Sequence, residues 1–239
     1  MKTSKIITET LRRVIYPPRC LFCGSLLDYR TEIPLCENCR PERYLPQGPR
    51  CSICSRPVGH AGDRCPGCRN HQSRIRGRGT FVYDGAVLES VHAVKDNGMK
   101  DYAKGYAELM VRYDERIWCE WGQFFLVPVP VHPRRLLERG YNQAEVLARE
   151  LGERLDVPVW TGLQREEATR ALRGQGAKSR RESLARAFRV DGSVPRPAGK
   201  AVIVDDIYTS GATVESCAKA IQDVYPEQEV CFWTFSIRT

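Results

Sequence analysis

The sequence predicts an α/β protein: a parallel sheet with helices on both faces, preceded by a small module stapled by cysteines. Three observations predict it. Strand-like and helix-like segments alternate from Thr80 onward, the pattern of a doubly wound sheet. Four C-x-x-C pairs crowd residues 20–68. The run Ala201–Val204 is short and wholly apolar, as a central strand of a parallel sheet must be, and it leads into two adjacent carboxylates, Asp205 and Asp206.

A chain of 239 residues favours two folded units. Residues 1–19 read as a short amphipathic helix, with Ile6, Ile7, Leu11, Val14 and Ile15 at helical spacing. The segment lacks the apolar stretch and small-residue cleavage site of a secretion signal. No apolar run in the chain reaches the ~20 residues of a membrane span.

Residues 20–68 are rich in Cys, Gly, Pro and Arg and poor in apolar runs. Such a segment cannot close a hydrophobic core alone and needs a staple. Its cysteines supply one. Cys20, Cys23, Cys36 and Cys39 form a first block, and Cys51, Cys54, Cys65 and Cys68 a second. Two residues between paired cysteines let both sulfurs reach one tetrahedral ion. Without a secretion signal, the pairs read as metal ligands in a reducing cytosol rather than as disulfides, and no thioredoxin-like context surrounds them. Two structural Zn²⁺ ions are expected, with an iron–sulfur cluster as the alternative metal; the spacing does not decide whether ligands pair within a block or cross between blocks, and the ribbon spacing of each block favours pairing within it. His60 and His71 are not needed as ligands. Gly24 and Gly67 suit the tight turns around the metals.

The formal net charge is +8, of which residues 1–79 carry +9 from fifteen Lys/Arg and six Asp/Glu. Each Zn(Cys)₄ centre is worth −2, which brings that segment to +5 and the chain to +4. This mild basic excess suits phosphorylated ligands or nucleic acid. Residues 69–79 read as a basic linker, and residues 80–239 as the α/β domain. Within it, TFVYDGAV reads as strand and turn. Helices follow at Leu88–Lys95 and Tyr102–Tyr113, broken at Asn97-Gly98. Residues 124–131 read as a buried strand leaving into a proline-rich loop, and Tyr141–Leu155 as a helix. Ala201–Val204, Ala212–Tyr225 and Val230–Ser236 read as strand, helix and strand.

The strongest motif is the stretch from Ala201 to Thr213. An apolar strand delivers Asp205 and Asp206 at its C-terminal end, where ligands of open α/β sheets bind. Thr209, Ser210, Gly211, Ala212 and Thr213 then open a helix. Free backbone N–H groups, small hydroxyls and the helix dipole together make an anion site. The acids suit ribose hydroxyls, which are donors, and would repel phosphate. The chemistry therefore selects a ribose 5-phosphate.

This stretch resembles the binding signature of type I phosphoribosyltransferases for 5-phosphoribosyl-1-pyrophosphate (PRPP). YPPRCLFC near the start, the four Cys pairs, VPVPVHPRRLLERGYNQAEVLA at 127–148 and DDIYTSGAT extend the resemblance over almost the whole chain, to the ComF/GntX family. The resemblance implies a double zinc ribbon before a type I phosphoribosyltransferase-like sheet. It implies that Asp205 and Asp206, the catalytic candidates, hold the ribose 2′- and 3′-hydroxyls. Thr209–Thr213 would cradle the 5′-phosphate, and Mg²⁺ would bridge pyrophosphate and ribose oxygens. The family's reaction displaces pyrophosphate from the anomeric carbon with a nitrogen nucleophile. Its members are associated with DNA uptake in natural transformation, and are thought to act in the cytoplasm on incoming single-stranded DNA.

Arg134, Arg135 and Arg139 follow a strand and are expected to neutralise pyrophosphate. One polar contact to the site is expected from Asn142 or Gln143, in the run Arg139–Gln143. Residues 161–190 hold eight Lys/Arg against three Asp/Glu and read as a basic hood. By resemblance Arg165, Thr169 and Arg180 belong to it, while Leu172 and Ser183 stand where the family pattern has Gln and Asn. Tyr83 and Lys95 read as a buried tyrosine and a surface lysine, with a place facing the site as the alternative; Trp118 and Trp121 read as core rather than a base-stacking platform, and Cys217 and Cys231 as core. Two functions fit. One is a Mg²⁺-dependent phosphoribosyltransferase of unassigned acceptor. The other is a non-catalytic factor that keeps the PRPP loop as a ligand sensor and binds single-stranded DNA through Arg69, Arg74, Arg76 and Arg78 and through Arg170, Arg173, Lys178, Arg180 and Arg181. Proteins of DNA uptake are the expected partners.

Overall fold

The computed structural model describes residues 17–31, 33–70, 74–97, 101–165 and 187–239. The helix expected over residues 1–19 lies almost wholly outside them.

Six strands are described: β1 (Arg76–Val82), β2 (Phe124–Pro128), β3 (Leu163–Arg165), β4 (Phe188–Val190), β5 (Lys200–Tyr208) and β6 (Val230–Ile237). Four form the main sheet in the order β1-β6-β5-β2, and every neighbouring pair is parallel. β3 and β4 pair separately as an antiparallel hairpin. The helices are α1 (Pro66–Asn70), α2 (Gly85–Asn97), α3 (Asp101–Tyr113), α4 (Glu115–Glu120), α5 (Pro133–Arg139), α6 (Gln143–Leu155) and α7 (Ala212–Val224). The alternation read from the sequence is therefore present. α4, α5 and the hairpin, too short for a periodic signal, were not legible in it.

Alternate residues of each buried strand feed opposite cores. Leu126, Val202, Val204, Trp233 and Phe235 pack with α2, α3 and α6 on one face. Phe125, Val127, Ala201, Ile203 and Phe232 pack with α7 and the hairpin on the other. A two-residue repeat buried on both sides explains why these strands read as continuous apolar runs.

The strand expected from Thr80 begins earlier, at Arg76, so the second half of the stretch read as linker is an edge strand. Gly77 makes this pairing possible: a Cβ there would lie 2.2 Å from the Phe232 carbonyl oxygen. Arg78 is consequently no free linker charge. It forms an ion pair with the buried Asp114, whose other oxygen accepts from the Thr80 hydroxyl at 2.6 Å and the Trp233 indole at 2.8 Å.

The cysteine module straddles this sheet. Leu21, Phe22, Leu27 and Leu35 of the first block enter the α2/α3 core. Phe22 meets Phe81 edge-on, with ring centroids 5.7 Å apart. Cys51, Ile53, Cys54, Cys65 and Cys68 of the second block enter the α7 core. The module solves its shortage of apolar residues by borrowing both cores of the α/β unit.

Candidate phosphate loop and tetracysteine centres

Each cysteine block forms one cluster. Cys20, Cys23, Cys36 and Cys39 bring their sulfurs within 4.8 Å of one another, as do Cys51, Cys54, Cys65 and Cys68. Pairing is thus block by block. Four sulfurs at this spacing fit one tetrahedral ion and leave no position open for chemistry, which is the donor set of a structural zinc site. The two knuckles share one backbone pattern. In the first, the Cys20 amide donates to the Ser25 carbonyl at 2.8 Å and the Gly24 amide to the Cys20 carbonyl at 2.9 Å. In the second, the Cys51 amide donates to Arg56 at 2.7 Å and the Ser55 amide to Cys51 at 3.0 Å. Gly24 (φ 72°) and Ser55 (φ 61°) make the equivalent left-handed turn. Gly67 does not have a positive φ, so the turn reading holds for Gly24 only. His60 is exposed and belongs to neither cluster, and His71 lies outside the described residues.

β5 carries Asp205 and Asp206 to the C-terminal edge of the sheet, and the alternation of the strand sends them to opposite faces. Asp205 faces α7 and the hairpin. There the buried Cys217 thiol is pushed up, first by burial and then by the Asp205 charge. Asp206 faces α3 and α6. The Tyr106 phenol is pushed up by burial, pulled down by its bond to the Ser90 hydroxyl, and raised again by Asp206. The Asp206 amide donates to the Asp205 carboxylate at 2.9 Å, and the Ser236 hydroxyl donates to the Asp206 carbonyl at 3.0 Å, which fixes the strand end.

Thr209 and Ser210 are exposed and lead into Gly211, the N-cap of α7. Gly211 sits at φ 84°, and a Cβ on it would lie 2.4 Å from the Tyr208 hydroxyl. Only glycine meets both conditions. With no side chain at the cap, the first amides of α7, at Ala212 and Thr213, are left for a ligand or solvent, apart from a 3.4 Å approach of Ser210 Oγ to the Ala212 amide.

The arginines divide. Arg165, on β3, stacks on Phe188 at 5.4 Å. Its guanidinium is destabilised first by burial and next by Arg135, and is supported in part by Asp205. The Arg135 charge, from a different element, thus disfavours the Arg165 guanidinium, and Asp205 offsets it in part. Arg134 instead pairs with Glu138 at 3.0 Å on the exposed side of α5, and Arg139 lies beside Tyr141. Thr169 and Arg180, with the rest of 166–186, lie outside the described residues.

Of the two amides in the run Arg139–Gln143, Asn142 is committed to structure. It caps α6 by accepting from the Ala144 amide at 3.1 Å, and donates to the Val129 carbonyl at 3.0 Å. Gln143 is different: it is buried, its amide nitrogen has no hydrogen-bond partner among the described residues, and it lines the same narrow cavity as Asp206 and Tyr106. Tyr83 is half-buried at the edge of the α2/α3 core and bonds His92 at 2.8 Å, while Trp121 packs on Phe124 and Trp233 and Cys217 and Cys231 are buried, so the last three stay in the roles read from the sequence. The side chains of Lys95 and Trp118 lie outside the description. Sequence reading missed Arg56, whose guanidinium donates to the Thr209 carbonyl of the loop. Alignment of the two knuckles could have flagged it, because the equivalent residue is Ser25.

Comparison with known proteins agrees with this architecture. Residues 11–69 match the family described as double zinc ribbon domain. Competence protein F of Haemophilus influenzae is 26% identical over 223 residues, covering 90% of this chain and 95% of that protein. Competence protein ComFC of Bacillus subtilis is 27% identical over 221 residues, covering 84% and 88%. DNA utilization protein YhgH of Salmonella typhimurium is 28% identical over 207 residues, covering 78% and 90%.

Proposed function

We propose that the chain is a ComF-family protein of phosphoribosyltransferase type that binds PRPP with Mg²⁺ and serves DNA uptake. One observation carries the proposal: β5 carries two adjacent carboxylates, on opposite sides, near its C-terminal end, and the strand leads through Thr209 and Ser210 into a glycine-capped helix start. The relatives' names, competence and DNA utilization proteins, supply the cellular context.

In this reading Asp205 and Asp206 accept hydrogen bonds from the ribose hydroxyls, and their charge keeps phosphate away from that end. Thr209, Ser210 and the amides of Gly211–Thr213 hold the 5′-phosphate. Arg135 disfavours the charge of Arg165, an anion held between them would relieve both, and pyrophosphate has the charge to do it. Gln143 offers its unpaired amide on the Asp206 side. The hard carboxylate oxygens of Asp205 and Asp206 suit Mg²⁺, whose chemistry is to spread the charge of the departing pyrophosphate. Thiolate-rich clusters suit two structural Zn²⁺ ions, with no coordination position open to a substrate.

A second reading is favoured by the charge distribution. Basic residues concentrate at 161–190, net +5, and Arg69, Arg74 and Arg76, before and at the start of β1, are each exposed. On that basis the protein is a non-catalytic single-stranded-DNA-binding factor of DNA uptake, with the loop kept as a ligand sensor. A screen for pyrophosphate release from PRPP separates the readings. Release that depends on a base, nucleotide or oligonucleotide establishes the enzyme. Binding without release against every acceptor establishes the sensor, and no PRPP binding at all removes both.

A further inference from the structure

The two knuckles are alike in backbone but not in the residue that follows the turn. In the first, Ser25 turns inward, its hydroxyl 3.2 Å from Cys23 Sγ. In the second, Arg56 turns outward. One guanidinium nitrogen lies 3.9 Å from Cys65 Sγ and the other donates to the Thr209 carbonyl, residues far apart in the chain. The guanidinium also lies over the Tyr208 ring, 5.8 Å from its centroid, while Tyr208 stacks on Phe232 of the sheet with centroids 4.3 Å apart. Gly67 leaves the space: a Cβ there would lie 3.0 Å from Arg56 Nη1. The planar fork of arginine spans a sulfur and a carbonyl at once, which a lysine ammonium on a single point cannot reproduce.

The consequence follows from peptide geometry. The bond between Thr209 and Ser210 is trans, so the Thr209 carbonyl and the Ser210 amide point in opposite directions. Holding the carbonyl toward the cysteine cluster turns the Ser210 N–H away from it. Arg56 is itself held by the knuckle, since its own carbonyl accepts from the Cys51 amide at 2.7 Å. Opening the cluster therefore releases the anchor.

We propose that Arg56 is a positioning residue that couples the phosphate loop to the second tetracysteine centre, so that the orientation of the Ser210 amide, and with it ribose-phosphate affinity, depends on the metal held by Cys51, Cys54, Cys65 and Cys68. The affinity half of this rests on the reading of residues 205–213 as a PRPP loop; the coupling half does not. The first centre, on the other face of the sheet, has no such link among the described residues.

The test uses the full chain. In ligand-free protein, hydrogen exchange at the two amides that the loop's own carbonyls hold, Glu215 on Gly211 at 2.9 Å and Arg238 on Tyr208 at 2.9 Å, should accelerate roughly tenfold or more in Arg56→Gln, with two metals still bound by native mass spectrometry, and Arg56→Lys should recover only part of the protection. With ¹¹³Cd in both centres, assigned through coupling to the cysteine Hβ protons, PRPP should shift the second-site resonance and leave the first unmoved. Calorimetry should show a roughly tenfold or greater loss of PRPP affinity in Arg56→Gln. Unchanged exchange in Arg56→Gln overturns the proposal. So does a ¹¹³Cd signal at the second site that ignores PRPP while calorimetry shows it bound. If wild-type protein does not bind PRPP, the loop reading fails instead, and the exchange experiment alone decides the role of Arg56. If Arg56→Gln loses its metal, the comparison of wild type with Arg56→Lys carries the same decision.

Discussion

Arg78 and Asp114 form an ion pair inside the protein, where the edge strand β1 meets the end of α3. Asp114 is 2% exposed and is bonded as well to Thr80 and Trp233, so one carboxylate joins β1, β6 and the turn after α3. Burial raises its pKa, while Arg78, Thr80 and Trp233 pull it down. Asp114→Ala strands a buried guanidinium and should cost ~3–5 kcal/mol of stability. The joint replacement Arg78→Met with Asp114→Leu should recover much of that loss, measured by denaturant unfolding.

Metal removal should reach beyond the cysteine module. Native mass spectrometry is expected to find two zincs per chain. Because the first block packs in one core and the second in the other, chelation should lower the melting temperature of the sheet itself, followed by near-ultraviolet dichroism of the Trp233 region. A sheet that melts at the same temperature with and without metal would contradict this packing.

Asp205→Ala and Asp206→Ala, singly and together, should abolish PRPP binding in calorimetry while the fold survives, since both side chains are only half-buried at a strand end. Unchanged affinity in the double variant removes the loop assignment.

Gly211→Ala meets two obstacles, a left-handed backbone and the Tyr208 hydroxyl. It should cost ~1–3 kcal/mol and weaken phosphate binding. Adding Tyr208→Phe removes the nearest atom but not the backbone strain, so it should restore only part of the stability.

Single-stranded DNA should bind weakly and without sequence preference, with affinity falling by roughly 0.7 log units per log unit of salt for each phosphate neutralised. Neutralising Arg69, Arg74 and Arg76 should reduce that slope. Neutralising Arg78 should act through stability instead, because its charge is committed to Asp114. A filter-binding titration at two salt concentrations, repeated with Arg170, Arg173, Arg180 and Arg181 neutralised, measures the share of each segment.

Much of this protein was legible in its sequence because the governing signals are local. Cysteine spacing is set by the reach of two side chains to one ion, so the eight ligands could be read directly, while their division by block was favoured by the spacing and decided by the packed chain. The period-two burial of β5 and the small residues after Asp206 are likewise properties of one continuous segment. What the sequence could not convey depends on segments meeting at a distance. The two acids face different sides because β5 is covered on both faces. Arg78 reads as a linker charge until β1 pairs with β6 and brings it to Asp114. Asn142 and Gln143 look equivalent until a helix starts between them, making one a cap and leaving the other unpaired in a cavity. Arg56 reads as one basic residue among many until the second knuckle docks beside the loop. Local spacing determined which groups exist and what they can bind. The tertiary structure decided which of them meet, because burial and distance are properties of the packed chain.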